Sequence, residues 1–109
     1  MLQLAQPADS NLDSKRLQMA LRAFKRGDFS VRLPENLTGI DGEIAATFND
    51  VIELNDRMIR ELARVSSVVG RDGKISQRGK LPGAGGSWQA CIESVNTLIG
   101  DVVHPTTDP

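Results

Sequence analysis

The chain has 109 residues, enough for one ordinary domain or two very small ones, and its 13 Lys and Arg against 14 Asp and Glu leave a net charge of −1. That balance gives no basic footprint for nucleic acid, and no window approaches the roughly 18 consecutive apolar residues that a membrane span requires. The opening MLQLAQPADS lacks the basic region and apolar run of a signal peptide, and Cys91, the single cysteine, excludes an internal disulfide and fits a reducing cytoplasm.

Residues 1–11 read as a loose polar lead-in containing Pro7. In the next stretch Leu17, Leu21 and Phe24 share one helical face with Ala20 between them, Asn11 or Asp13 can supply the N-cap, and Gly27 follows the basic last turn. From Gly27 to Asp41 the apolar residues Phe29, Val31 and Leu33 alternate before Pro34. Such alternation suggests a strand, but no partner strand exists elsewhere, so the segment reads as an extended connector pinned by its apolar side chains.

The stretch from Gly42 to Val69 has no proline and no internal glycine. Its apolar residues Ile44, Phe48, Val51, Met58, Leu62, Val65 and Val69 recur in steps of four and three, a helical stripe. Asn55 fills the one gap, a polar residue of the kind that fixes register and strand number in coiled coils. As one helix this segment runs about 42 Å at about 1.5 Å per residue, a shaft joining two units.

A second glycine-rich connector, Gly70 to Gly86, carries Ile75 and Leu81. The last helix begins near Ser87 and places Trp88, Cys91, Val95, Leu98 and Val102 on one face before Pro105 interrupts it. Cys91 is expected there as a small buried apolar group. His104 is expected to be exposed, with no companion residues for a metal.

The halves repeat. RGDFS matches DGKIS at the start of each connector, and ATFNDVI matches ESVNTLI in the helix that follows. Gly27 precedes Gly73 by 46 positions and Asn49 precedes Asn96 by 47. Each unit is thus helix, connector, helix, with the shaft shared. Antiparallel neighbours need only two to eight linking residues, whereas an extended run of about fourteen spans up to about 45 Å and can carry the chain back along a whole helix. The two helices of a unit are therefore expected to be parallel. Two such helices cannot enclose a core between them, and a second copy completes a parallel four-helix bundle.

The segments GDFSVRLP, GEIAATFNDVIELNDRM, VVGRDGKISQRG and SVNTLIGDVVHPTTD together resemble the HAMP domain, a linker module of sensor histidine kinases and chemoreceptors. They look like the first two units of the poly-HAMP arrays of soluble hybrid histidine kinases, with one unit over residues 12–62, a second over 63–109, and a shared helix over about 42–69. The resemblance implies an all-α, parallel homodimeric four-helix coiled-coil fold without catalytic residues or cofactor. Its partners are then a second copy of the chain and adjoining HAMP and kinase domains, with no nucleic acid. It further implies that Leu17, Leu21, Phe24, Ile44, Phe48, Val51, Asn55, Met58, Leu62, Val65 and Val69 form the dimer core. Trp88, Cys91, Val95, Leu98 and Val102 continue that core in the second unit. Gly27 and Gly73 match the connector-opening glycine, and Phe29 with Leu33, and Ile75 with Leu81, match the connector hydrophobes. The family's acidic residue at the start of the second helix has loose counterparts in Asp41 or Glu43, and only Ser87 in the second unit.

Other function classes fit less well. A phosphate loop of the form G-x-x-x-x-G-K-[ST] fails twice, because the residue five before Gly73 is Val68 and Lys74 precedes Ile75. Helix-turn-helix recognition wants a turn of three to four residues, far shorter than either connector. An inert dimeric coiled-coil spacer is the alternative to a signal relay, although a spacer needs only heptads and neither connector.

Overall fold

The computed structural model describes residues 11–73 and 76–103, and among these the fold is all-helical, with three α-helices and no strand. The lead-in over 1–10, Ile75 and His104 lie outside the described residues, as does the side chain of Val102. Helix α1 runs from Ser14 to Lys25, α2 from Gly39 to Val65, and α3 from Gly86 to Val103. The chain divides into two compact units between Asp56 and Arg57, and α2 contributes to both.

Helix α1 starts at Asp13, whose carboxylate accepts the Lys15 amide at 3.0 Å. It ends in a Schellman closure: the Asp28 amide donates to the Ala23 carbonyl and the Gly27 amide to that of Phe24, with Gly27 at φ 93°. The connector then turns at once, because the Asp28 carboxylate accepts both the amide and the hydroxyl of Ser30. These two bonds hold the Asp28 carboxyl below its ordinary range.

Helix α2 begins three residues before the expected start at Gly42. Gly42 is not a helix boundary. Its amide donates to the Thr38 carbonyl one turn back, and a Cβ at this position would collide with the Leu37 carbonyl oxygen. At the other end α-helical geometry stops at Val65 and one π-helical turn, Ser66–Arg71, takes over, with the Asp72 amide donating to Ser67 five residues back. The shaft therefore departs from the uniform α-helix expected through Val69. A π turn accommodates an extra residue. Leu17 and Leu62 are both half-buried, and Ala20 and Val65 both buried, at 45 positions apart, whereas Gly27 and Gly73 beyond the turn are 46 apart.

In unit 1 the Leu12 amide donates to the Asp41 carboxylate at 2.9 Å, which ties the start of α1 to the start of α2. Further along, the rings of Phe24 and Phe48 meet edge to face at 6.4 Å. Both helices consequently run in the same direction. Their core is Ala20, Leu33, Leu37, Ala45, Phe48 and Ile52, with Leu12, Leu17, Phe24, Phe29 and Val31 packed around it. Leu33 and Leu37 come from the connector, so the extended segment is a structural layer of the unit. In unit 2 the buried apolar residues among those described are Met58, Val65, Leu81, Ile92 and Ile99. Among the described residues no helix is long and apolar enough to cross a membrane.

Candidate functional site: the uncovered apolar faces

Each connector is clasped by one asparagine. In unit 1 Asn49 Oδ1 accepts the Leu33 amide at 2.8 Å while its Nδ2 donates to the Leu33 carbonyl at 3.0 Å, all of it buried. Asn96 does the same to Gly79, at 2.7 and 3.0 Å. An extended connector has no ladder partner, so a side-chain amide supplies the donor and acceptor that a neighbouring strand would supply. The repeat in the sequence marked Asn49 and Asn96 as a pair but not as this clasp.

The clasp places Gly79, not Leu81, where Leu33 stands in unit 1, although Leu33 and Leu81 are both buried. A Cβ on Gly79 would lie 3.2 Å from Ile92 Cδ1 and 3.5 Å from Val65 Cγ2. In unit 1 the corresponding helix residue, 47 positions earlier, is Ala45. The bulk therefore comes from the connector in unit 1, as Leu33 with Ala45, and from the helix in unit 2, as Ile92 with Gly79.

On the second helix of each unit the inward positions repeat at 47: Ala45 and Ile92, and Ile52 and Ile99, are buried, Asn49 is buried and Asn96 half-buried, and Phe48 is buried and Val95 half-buried. Ile52, Ile92 and Ile99 were absent from the stripe traced in the sequence. A second set repeats with the same interval and is not covered. Ile44 is 39% exposed and Val51 41%, and their counterparts are Cys91, exposed, and Leu98, 64% exposed. The expectation that Cys91 is buried fails within the single chain. At about 100° per residue these positions lie about 110° around each helix from its buried face.

Ile40 extends the open stripe of α2 at 67% exposure. On α1, Leu21 is exposed beside half-buried Leu17 and Phe24. The open stripe of α1 is displaced from buried Ala20 and Ala23 in the rotational sense opposite to that on α2. For parallel neighbours this puts both stripes on the same side of the helix pair. Leu21, Ile40, Ile44 and Val51 fall on this side, with Met19, 61% exposed, on the opposite side of α1, and the concentration of four such residues on one side of so small a unit marks an interaction surface.

The remaining core candidates divide between the two environments. Met58 and Val65 are buried within unit 2, while Leu62, Val69, Trp88 and Val95 are half-buried. Asn55 is half-buried one turn beyond Val51 and donates through Nδ2 to the Val51 carbonyl at 2.8 Å, which engages one of its amide hydrogens within the single chain.

Unit 2 adds polar ties between its connector and α2. Arg57 donates to the Pro82 carbonyl, the Glu61 carboxylate accepts the Lys80 amide at 2.7 Å, and Arg64 donates to Glu61 at 3.0 and 2.8 Å and to the Arg78 carbonyl. The bonds from Arg64 outweigh partial burial and hold the Glu61 carboxyl below its ordinary range, with the Lys80 amide adding to the effect. In unit 1 a comparable side-chain tie is Arg32 to Glu53 at 3.1 Å. These carboxylates are occupied in fastening the connectors. Among the described residues there is no cluster of three His, Cys, Asp or Glu that could hold a metal. No family model and no solved structure matches the chain.

Proposed function

We propose that the chain is a non-catalytic signal relay built from two HAMP-like units, which dimerises in parallel through its uncovered apolar faces and passes conformational change along α2. In this reading the adjoining parts of a longer cytoplasmic sensor kinase or chemoreceptor-like protein supply input and output. The observation that carries it is the repetition of the open positions, Ile44 and Val51 in one unit, Cys91 and Leu98 in the other. In each unit a second copy of the chain laid alongside covers the open set. A bundle whose core mixes bulky Phe48 and Met58 with small Ala45 and polar Asn55 has packings separated by only a few kcal/mol, the property a relay requires.

Helical phase supplies the test. One residue inserted between Arg60 and Glu61 turns everything beyond it by about 100°, whereas seven inserted residues change phase by about 20°. In a chimera placing the chain between a sensor and a kinase, one inserted residue is expected to abolish or lock kinase control and seven to preserve it. Equal tolerance of both overturns the relay and leaves an inert dimeric spacer.

A further inference from the structure

The near-zero net charge conceals a local excess in unit 2. Between positions 57 and 80 the chain carries seven Lys or Arg against two Asp or Glu. Arg57, Arg60 and Arg64 of α2 and Lys80 of the connector line a cavity of about 300 Å³, with Leu81 and Pro82 as its apolar wall. A neighbouring cavity of about 580 Å³ shares Arg64 and Lys80 and adds Arg78. Among the described residues Glu61 is the one acid that lines either cavity. Both of its oxygens are engaged, one by Arg64 Nε and the other by Arg64 Nη2 and the Lys80 amide. The four cations of the smaller cavity exceed its single acid by three charges.

This lining is not a requirement of the fold. The repeat that preserves the asparagine clasps places Leu12, Lys15, Arg16 and Met19 at the positions 45 before Arg57, Arg60, Glu61 and Arg64, and Pro34 at the position 46 before Lys80. One of the four cations has a basic counterpart in unit 1. The connector, moreover, is fastened by other groups than those it offers the cavity. Lys80 is tied through its main-chain amide, and the bond from Arg57 to the Pro82 carbonyl takes one of the five N–H groups of a guanidinium.

The cavity also lies clear of the open apolar side. At about 100° per residue, Arg57, Arg60 and Arg64 fall about 80–140° from buried Val65 in one rotational sense, whereas half-buried Leu62 and exposed Ile59 fall about 60–120° from it in the other. A copy of the chain laid on the apolar side leaves the basic flank open.

We infer that unit 2 binds a multiply charged phosphoryl anion in this groove, held by Arg57, Arg60 and Lys80 and bordered by Arg64. Guanidinium groups present planar forks that match phosphoryl oxygens two at a time, and a Lys ammonium adds a point charge. Linked phosphoryl groups carry several charges within the reach of one cavity, whereas an acidic peptide spreads single charges along its backbone. The ligand bridges α2 and the connector, because three of its partners stand on the helix and one on the connector. The site is independent of the dimeric reading, since one chain supplies its whole lining.

The experiment titrates the whole chain calorimetrically with inorganic tripolyphosphate in about 50 mM salt, where screening is modest. One ion is expected to bind per chain. Arg60→Gln with Lys80→Gln is expected to weaken binding at least about tenfold, and Lys80→Gln alone at least about threefold, with helical content unchanged by circular dichroism. Lys15→Gln with Arg22→Gln removes as many charges from α1 and is expected to change affinity less than about twofold. Flotation with phosphatidylcholine vesicles containing phosphatidylinositol bisphosphate separates the two sources of the anion: a lipid headgroup gives capture that the Arg60 and Lys80 substitutions abolish, and a free polyphosphate gives none. Equal weakening by the two double variants overturns the site in favour of diffuse attraction. An oligoglutamate of matched charge that binds as tightly as tripolyphosphate overturns the phosphoryl assignment, and a wild-type chain that takes up neither tripolyphosphate nor vesicles overturns the inference altogether.

Discussion

Asn49 holds Leu33 by both of its backbone groups, accepting the amide at 2.8 Å and donating to the carbonyl at 3.0 Å from within the core of unit 1. Replacing Asn49 with Ala strands a buried donor and a buried acceptor, each costing about 1–3 kcal/mol. The variant is expected to lose roughly 2–4 kcal/mol in urea unfolding. Asn96→Ala is expected to lose less, because its clasp on Gly79 is only partly buried. Equal stability of Asn49→Ala and wild type contradicts the clasp.

The exchange of bulk between units predicts a coupled pair. Ile92→Ala opens a cavity and is expected to cost about 2–4 kcal/mol. Gly79→Leu alone overpacks against Ile92 and Val65 and is expected to cost about 1–3 kcal/mol. Together they install the Leu and Ala arrangement of unit 1. The double variant is expected to be more stable than the sum of the single losses by at least about 1 kcal/mol, measured as a double-mutant cycle. Additive losses contradict the equivalence of Leu33 with Gly79.

A pH dependence follows from Glu61. Its carboxyl sits below the ordinary value of 4.5 in the folded unit, chiefly through Arg64. A lowered folded value means that the unfolded chain takes up the proton first, so this stabilisation is complete above about pH 4.5 and is lost as pH falls through the folded value. Glu61→Gln is expected to flatten the acid limb of stability below that pH. Part of the slope remains, since Asp28 is also held low by Ser30. An unchanged acid limb in Glu61→Gln contradicts the assignment.

The three helices, the shared α2 and the repeat were legible in the sequence because apolar period and glycine placement report them directly. The N-cap was narrowed by residue type to Asn11 or Asp13, and the structure selects Asp13. The start of α2 was not legible. Gly42 looks like a boundary, yet it is a glycine because Leu37 passes too close for a Cβ. The π turn was hidden because one added residue barely disturbs the apolar spacing through Val69. Leu33 and Leu81 matched by residue type, but the clasp that makes positions equivalent acts on backbone groups, which carry no sequence signature, and it selects Gly79. The division of α2 into a buried face and an open face was also hidden, since both are apolar and only packing separates Ile52 from Val51.

The parallel pairing of two copies is tested most directly by one distance. A spin label at Asn11→Cys, an exposed site just before α1, in a Cys91→Ser background reports the separation of the two chain starts by pulsed dipolar spectroscopy. Parallel copies are expected to give a single distance below about 30 Å. A distance beyond about 40 Å, the length of α2 at about 1.5 Å per residue, or the absence of any dipolar coupling between copies, contradicts the account.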